Sequence, residues 1–146
     1  MVGILTALLS GMLMSIQGVM NTGVTKQTSI WVSAGFVQLS ALIVCIIAWL
    51  CTDRSDIGAI MKVTPKYMLL GGLIGAFITI TVIKSMEMLG PAKSVMLIVT
   101  MQIVAAYVIE LLGLFQAEKV PFSWGKVAGA IVSIAGIIIF SLSGEK

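Results

Sequence analysis

The chain has 146 residues, 59% of them hydrophobic and 10% charged, with a mean hydropathy of +1.13, a composition outside that of soluble globular domains. At about 20 residues per bilayer crossing, roughly five helices would use about 100 positions and leave only short loops, which excludes a soluble domain. No histidine is present, which removes the commonest general base and metal ligand and argues against an enzyme, a metal site or a cofactor. The nine Lys and Arg are scattered singly against six Asp and Glu, so no clustered basic face for a nucleic-acid partner exists.

Charges mark off the membrane segments. None precedes Lys26, none lies between Lys26 and Asp53, and none between Lys66 and Lys84; the stretch 94–117 carries only Glu110, and 127–144 carries none. The expected fold is an all-α membrane protein, one five-helix transmembrane domain over 1–146. Its spans fall at about 2–20, 30–51, 67–87, 93–115 and 124–143.

The first span opens on the apolar stretch Met1 to Ser10, which lacks the basic region of a cleaved signal peptide and so reads as the start of a retained helix. Gly3, Ala7, Gly11 and Ser15 form a small-residue ridge along it, and Gln17 and Asn21 share a face at its end. In span two, Trp31 and Trp49 stand 18 residues apart, about 27 Å at helical rise, and bracket one crossing at the headgroup level. Cys45 and Cys51 lie about 9 Å apart on that helix, beyond the reach of a disulfide, and read as buried small hydrophobes.

The loop from Thr52 to Lys66 is solvated, and its apolar stretch Ile57 to Met61 is either plain loop or a segment lying on the membrane surface. Tyr67 opens span three, which carries Gly71 and Gly75 and, near its far end, Lys84 with Glu87 one turn on. Gly90 and Pro91 make a short turn that predicts an antiparallel hairpin of spans three and four. Trp124 opens span five just after Pro121, and Gly125, Gly129 and Ser133 run along it. Such ridges allow close backbone approach in lipid, either within one protomer or between two.

With the amino terminus on side A, that side carries Arg54, Lys62, Lys66, Lys119 and Lys126, and side B carries Lys26, Lys84, Lys93 and Lys146. Orientation follows an excess of Lys and Arg on the cytoplasmic side. Five against four is almost no excess, so the chain is expected to insert both ways up, the alternative being a fixed orientation with side A inside. Two oppositely inserted five-span copies would form a ten-helix inverted-repeat architecture, the arrangement in which transporters place a site at the repeat interface. The expected partners are lipid, a small-molecule substrate and a second, antiparallel copy of this chain.

Polar groups at membrane depth are functional candidates. Glu110 lies about 10 Å from the middle of span four. It reads either as a proton- or substrate-binding carboxylate, or as a group that snorkels to side A or pairs with a neighbouring cation. Gln102, two turns earlier, is within about 80° of it around the helix. Gln17 and Asn21 offer donors and acceptors for a hydrogen-bonding pocket, or serve as interhelical glue or a helix-end cap. Gln38, Thr79, Thr81 and Thr100 read mostly as packing. Inversion of a partner copy would bring its Lys84 to the depth of Glu110, giving a pair across the dimer; in the alternative, Lys84 snorkels and pairs with Glu87 on its own helix.

Several of these residues stand in recognisable strings: Ser15-Ile16-Gln17-Gly18-Val19-Met20-Asn21, Gly71-Gly72, Gly75-Ala76, Leu89-Gly90-Pro91-Ala92, Gln102, and Glu110-Leu111-Leu112-Gly113-Leu114-Phe115 followed by the span-five glycines. Through them, and over nearly its whole length, the chain resembles the YdcZ-type family of small inner-membrane exporters in the drug/metabolite transporter superfamily. It differs in having Glu110 where the family usually has Asp, and Met101 where a Gly often precedes the span-four Gln. The resemblance implies a bacterial inner-membrane protein working as an inverted pair around a central site. The activity expected is secondary-active export of a small organic solute by alternating access, with one membrane-embedded acid per protomer favouring a cation over an anion. Glu110 would couple to protons or bind a cationic group, while Gln17, Asn21 and Gln102 orient the substrate. A passive channel formed by an inverted dimer and a non-transporting assembly subunit are the alternatives from other classes.

Overall fold

Ser29 separates the first two helices. Its hydroxyl oxygen accepts from the Val32 N–H at 3.2 Å, capping α2 (Ile30–Thr52) only two residues after the end of α1 (Val2–Gln27). In this computed structural model, which describes residues 1–143, the chain is all-helical with no strand among the described residues. Lys146, counted above on side B, lies outside them.

α1 runs seven residues beyond the expected boundary at 20, although Asn21, Thr22, Gly23 and Thr25 are weak helix formers. Tertiary contacts supply the difference. The buried Ser33 hydroxyl of α2 donates to Asn21 O at 3.0 Å, stitching the two helices together where they turn, while within α1 the Thr22 hydroxyl donates to Gly18 O at 2.8 Å. The extension shifts the middle of α1, so Gln17 sits within about 4 Å of it along the axis rather than near an end.

α2 ends close to its expected boundary, and the Trp49 indole N–H donates to Ser55 O at 3.1 Å in the loop beyond. Ile57–Lys62 is not plain loop but a short 3₁₀ helix, begun by the Asp56 carboxylate accepting from the Gly58 N–H at 2.8 Å. A second 3₁₀ turn, Lys66–Leu70, leads into α3 (Gly71–Leu89). α4 (Pro91–Leu112) begins two residues earlier and ends three residues earlier than expected. Its first helical position is Pro91, preceded by Gly90 at φ 79°; its last is followed by Gly113 at φ 64° in the left-handed region, where glycine ends a helix without a Cβ penalty. α5 spans Trp124–Ser143.

The helices Val2–Gln27, Ile30–Thr52, Lys66–Leu89 and Pro91–Leu112 are long and apolar enough to cross a membrane, and Trp124–Phe140 in α5 is a shorter apolar helix. Two compact units divide the chain, Met1–Met88 and the remainder from Leu89.

In the first unit, α1 and α2 pack side by side, and Gly18 faces α3. A Cβ on Gly18 would lie 2.5 Å from Met86 Cε and 3.4 Å from Val82 Cγ1. The buried apolar residues are few, Ala34, Ile83 and Met86, and large apolar side chains cover the outside of every helix. That distribution suits a protein whose apolar faces meet lipid or another chain instead of a core. Both cysteines, expected to be buried, are instead unpaired and exposed on α2 for the same reason. The small-residue ridges are open too. Nothing lies within 4 Å of a Cβ built on Gly3, Gly11, Gly71 or Gly129, and Gly75 meets only the Gln38 amide at 3.8 Å.

Candidate functional site

Gln17 and Asn21 are brought together on one wall of a groove between α1 and α2, about 810 Å³ in volume. This is within the usual size of small-molecule sites. The opposite wall carries Ser33, Phe36, Ser40 and Cys45, residues that periodicity alone did not single out. From the level of Asn21 and Ser33 to that of Ser10 and Cys45 the groove runs about 17 Å along the helices.

The amide side chains of Gln17 and Asn21 have no hydrogen-bond partner among the described residues. Gln17 is exposed on the protomer and Asn21 half-buried, and an amide left unpaired in hydrocarbon costs about 2–7 kcal/mol, so within a bilayer both call for a partner outside the protomer. Ser33 and Ser40 are different, because their protons go to Asn21 O and Val37 O. The threonines are spent in the same way: Thr79, Thr81 and Thr100 donate to carbonyls of their own helices, at Gly75, Phe77 and Met96. Gln38 lies beside Gly75, outside the groove lining.

The second unit holds Gln102 and Glu110. Gln102 is exposed on α4. Glu110 lies in the last turn of that helix, where its carboxylate meets the Lys126 ammonium at 2.8 Å, both side chains being a little under half exposed. Lys126 stands in the first turn of α5 and also lies 5.6 Å from the centre of the Tyr107 ring. The Tyr107 hydroxyl donates to Ser123 O at 3.2 Å and accepts from the Ser123 N–H at 3.0 Å, and the Val120 N–H donates to Glu110 O at 3.1 Å. These contacts clasp the end of α4 to the start of α5. Phe122 and Trp124 pack edge to face beside the clasp, with centroids 5.1 Å apart and both rings exposed, as suits the headgroup level.

The reading of Glu110 as partner of a neighbouring cation therefore describes the protomer, and Lys126 is the residue the sequence reading left unmatched to it. A signal was available: both fall on side A, flanking one loop. Lys84 and Glu87 are exposed on α3 and form no ion pair among the described residues. No group of three metal-binding side chains occurs among the described residues.

The family model described as "Putative inner membrane exporter, YdcZ" matches residues 2–139. No curated protein and no solved structure matches the chain. A match over nearly all five helices, in a chain whose helices are built to lie in a bilayer, assigns it: the chain belongs to the YdcZ family of inner-membrane exporters and is a multi-pass inner-membrane protein.

Proposed function

We propose that the protein is a secondary-active exporter of a small organic solute, working by alternating access as an antiparallel homodimer in which α5 completes five crossings per copy. The observation that carries the reading is the groove between α1 and α2, with the unpartnered amides of Gln17, near the middle of α1, and of Asn21, one turn beyond it. These amides orient the substrate, and Gln102, exposed on α4, is a separate candidate for substrate contact. Polar groups without partners at membrane depth are the mark of a transported-substrate path.

Glu110 couples transport to protons. While ionised it is held by Lys126; on protonation the ion pair is lost and the α4–α5 clasp is weakened. In an inverted dimer Lys84 of the partner subunit is the competing cation for the same carboxylate. Support for the inverted arrangement comes from the near-even division of basic residues and from the ridge glycines Gly3, Gly11, Gly71 and Gly129, whose Cβ positions meet nothing within 4 Å in the protomer.

The test is flux in proteoliposomes with a screen of organic solutes under an imposed proton gradient. Saturable, substrate-dependent proton movement, abolished by Glu110→Gln, is expected. Large ohmic flux identifies a channel instead, and transport unchanged in Glu110→Gln removes that residue from the mechanism.

A further inference from the structure

The groove between α1 and α2 has no charged side chain in its lining. In α1 the first charge is Lys26, and beyond α2 the next is Asp53. A solute carrying a net charge would leave that charge unanswered on this surface, a severe cost away from water. Gln17 and Asn21, one turn apart, can donate and accept at once, whereas the hydroxyls of Ser33 and Ser40 have given their protons to backbone carbonyls and can only accept. The remaining wall is apolar, with Leu13, Met14, Met20 and Phe36 among its residues. The two methionines are unbranched and adapt to different shapes.

From this lining we infer that the groove binds an uncharged, amphipathic solute. An amide, urea or alcohol group of the solute pairs with Gln17 and Asn21, and an apolar body lies along the methionine side toward Cys45. The inference rests on the exporter reading for its biological setting and adds to it the charge class of the substrate. Selection is by hydrogen bonding and shape.

Cys45 lines the groove and is exposed, and the only other cysteine is Cys51, so the chain carries its own reporter. The full-length Cys51→Ser variant in lipid nanodiscs is alkylated at Cys45 with N-ethylmaleimide in the presence of three probes built on one naphthyl-alkyl skeleton: a neutral primary amide, a quaternary ammonium and a carboxylate. The amide is expected to slow alkylation at about tenfold lower concentration than either charged probe. Gln17→Leu and Asn21→Leu are each expected to raise its half-protecting concentration by up to about tenfold, the loss of one hydrogen bond. Gln38→Ala, outside the groove, should leave it unchanged.

Protection by the ammonium at equal or lower concentration than the amide overturns the charge class while leaving the exporter reading intact. Equal protection by all three probes, or by none, overturns the groove as the solute site, as does amide protection that survives both leucine substitutions. The charge series needs no substitution at the amides and no transport, so its outcome is separate from that of the flux measurement.

Discussion

Glu110 and Lys126 each stand at the end of a helix whose dipole opposes them. The carboxylate lies in the last turn of α4, where the macrodipole is negative, and the ammonium lies in the first turn of α5, where it is positive. Each placement alone costs about 0.3–1 kcal/mol. Together, at 2.8 Å, the two charges offset part of these costs, and that attraction is present only while both are ionised. A partly exposed pair of this kind is worth about 0–1 kcal/mol in water. In a double-mutant cycle, Glu110→Gln and Lys126→Gln are expected to show coupling of that size, read from unfolding followed by tryptophan fluorescence, with partial recovery in the swap Glu110→Lys with Lys126→Glu. Strict additivity of the two single changes would show that the contact is not energetically used.

Tyr107 is the neutral part of the same clasp, using one hydroxyl for both the N–H and the C=O of Ser123. Tyr107→Phe keeps the ring beside Lys126 and removes both bonds. A loss of about 1–2 kcal/mol is expected at about 1 kcal/mol per bond, together with faster hydrogen exchange at the Ser123 amide. Unchanged protection of that amide would contradict the assignment.

Gly18 and Gly11 have opposite surroundings. At Gly18 a Cβ meets Met86, whereas at Gly11 nothing lies within 4 Å. Gly18→Ala should be tolerated, because the colliding atoms are the flexible tip of a methionine. Gly18→Leu is expected to destabilise the protein by about 1–3 kcal/mol through overpacking. Gly11→Leu should leave protomer stability unchanged and, if the ridge is the contact between copies, reduce the cross-linked dimer in membranes. A dimer indifferent to Gly11→Leu and Gly3→Leu would place the contact elsewhere.

The near balance of basic residues makes orientation sensitive to small changes. Fusions at the carboxyl end to two reporters, one active on each side of the membrane, are expected to give signal from both. Adding two lysines between residues 114 and 120 should bias insertion to one orientation, and adding them beside Gly90 to the other. Signal from one compartment only in the unaltered chain would overturn dual insertion and with it the antiparallel dimer.

Legibility differed from helix to helix, and the differences have causes. The starts of α2 and α5 could be read closely because Ser29 and Pro121 interrupt apolar runs next to Trp31 and Trp124. The end of α1 could not, since residues 21–27 combine weak propensity with a tertiary stitch, Ser33 to Asn21, that holds them helical. The hydropathy pattern runs past the true end of α4, because Leu114 and Phe115 continue it beyond Gly113, whose left-handed backbone ends the helix whatever follows. Along the groove between α1 and α2, the shared face of Gln17 and Asn21 was legible from their spacing, while the facing Ser33, Phe36 and Cys45 were not, because an opposing wall belongs to another helix.

The amino-acid sequence by itself determined that this is a membrane protein of apolar helices, which segments are apolar enough to be candidate spans, and which few polar side chains they carry. The reason is that unpaired charges and backbone groups are too costly in hydrocarbon for the pattern to mean anything else. Only the tertiary structure decided that Glu110 meets Lys126, that Gly18 is the glycine pressed against a neighbour, and that Gln17 and Asn21 face a groove instead of a helix contact. Those outcomes depend on how each helix is rotated against the next. Hydropathy carries little information about rotation in helices that are apolar on nearly every face, and packing of small and large side chains settles it.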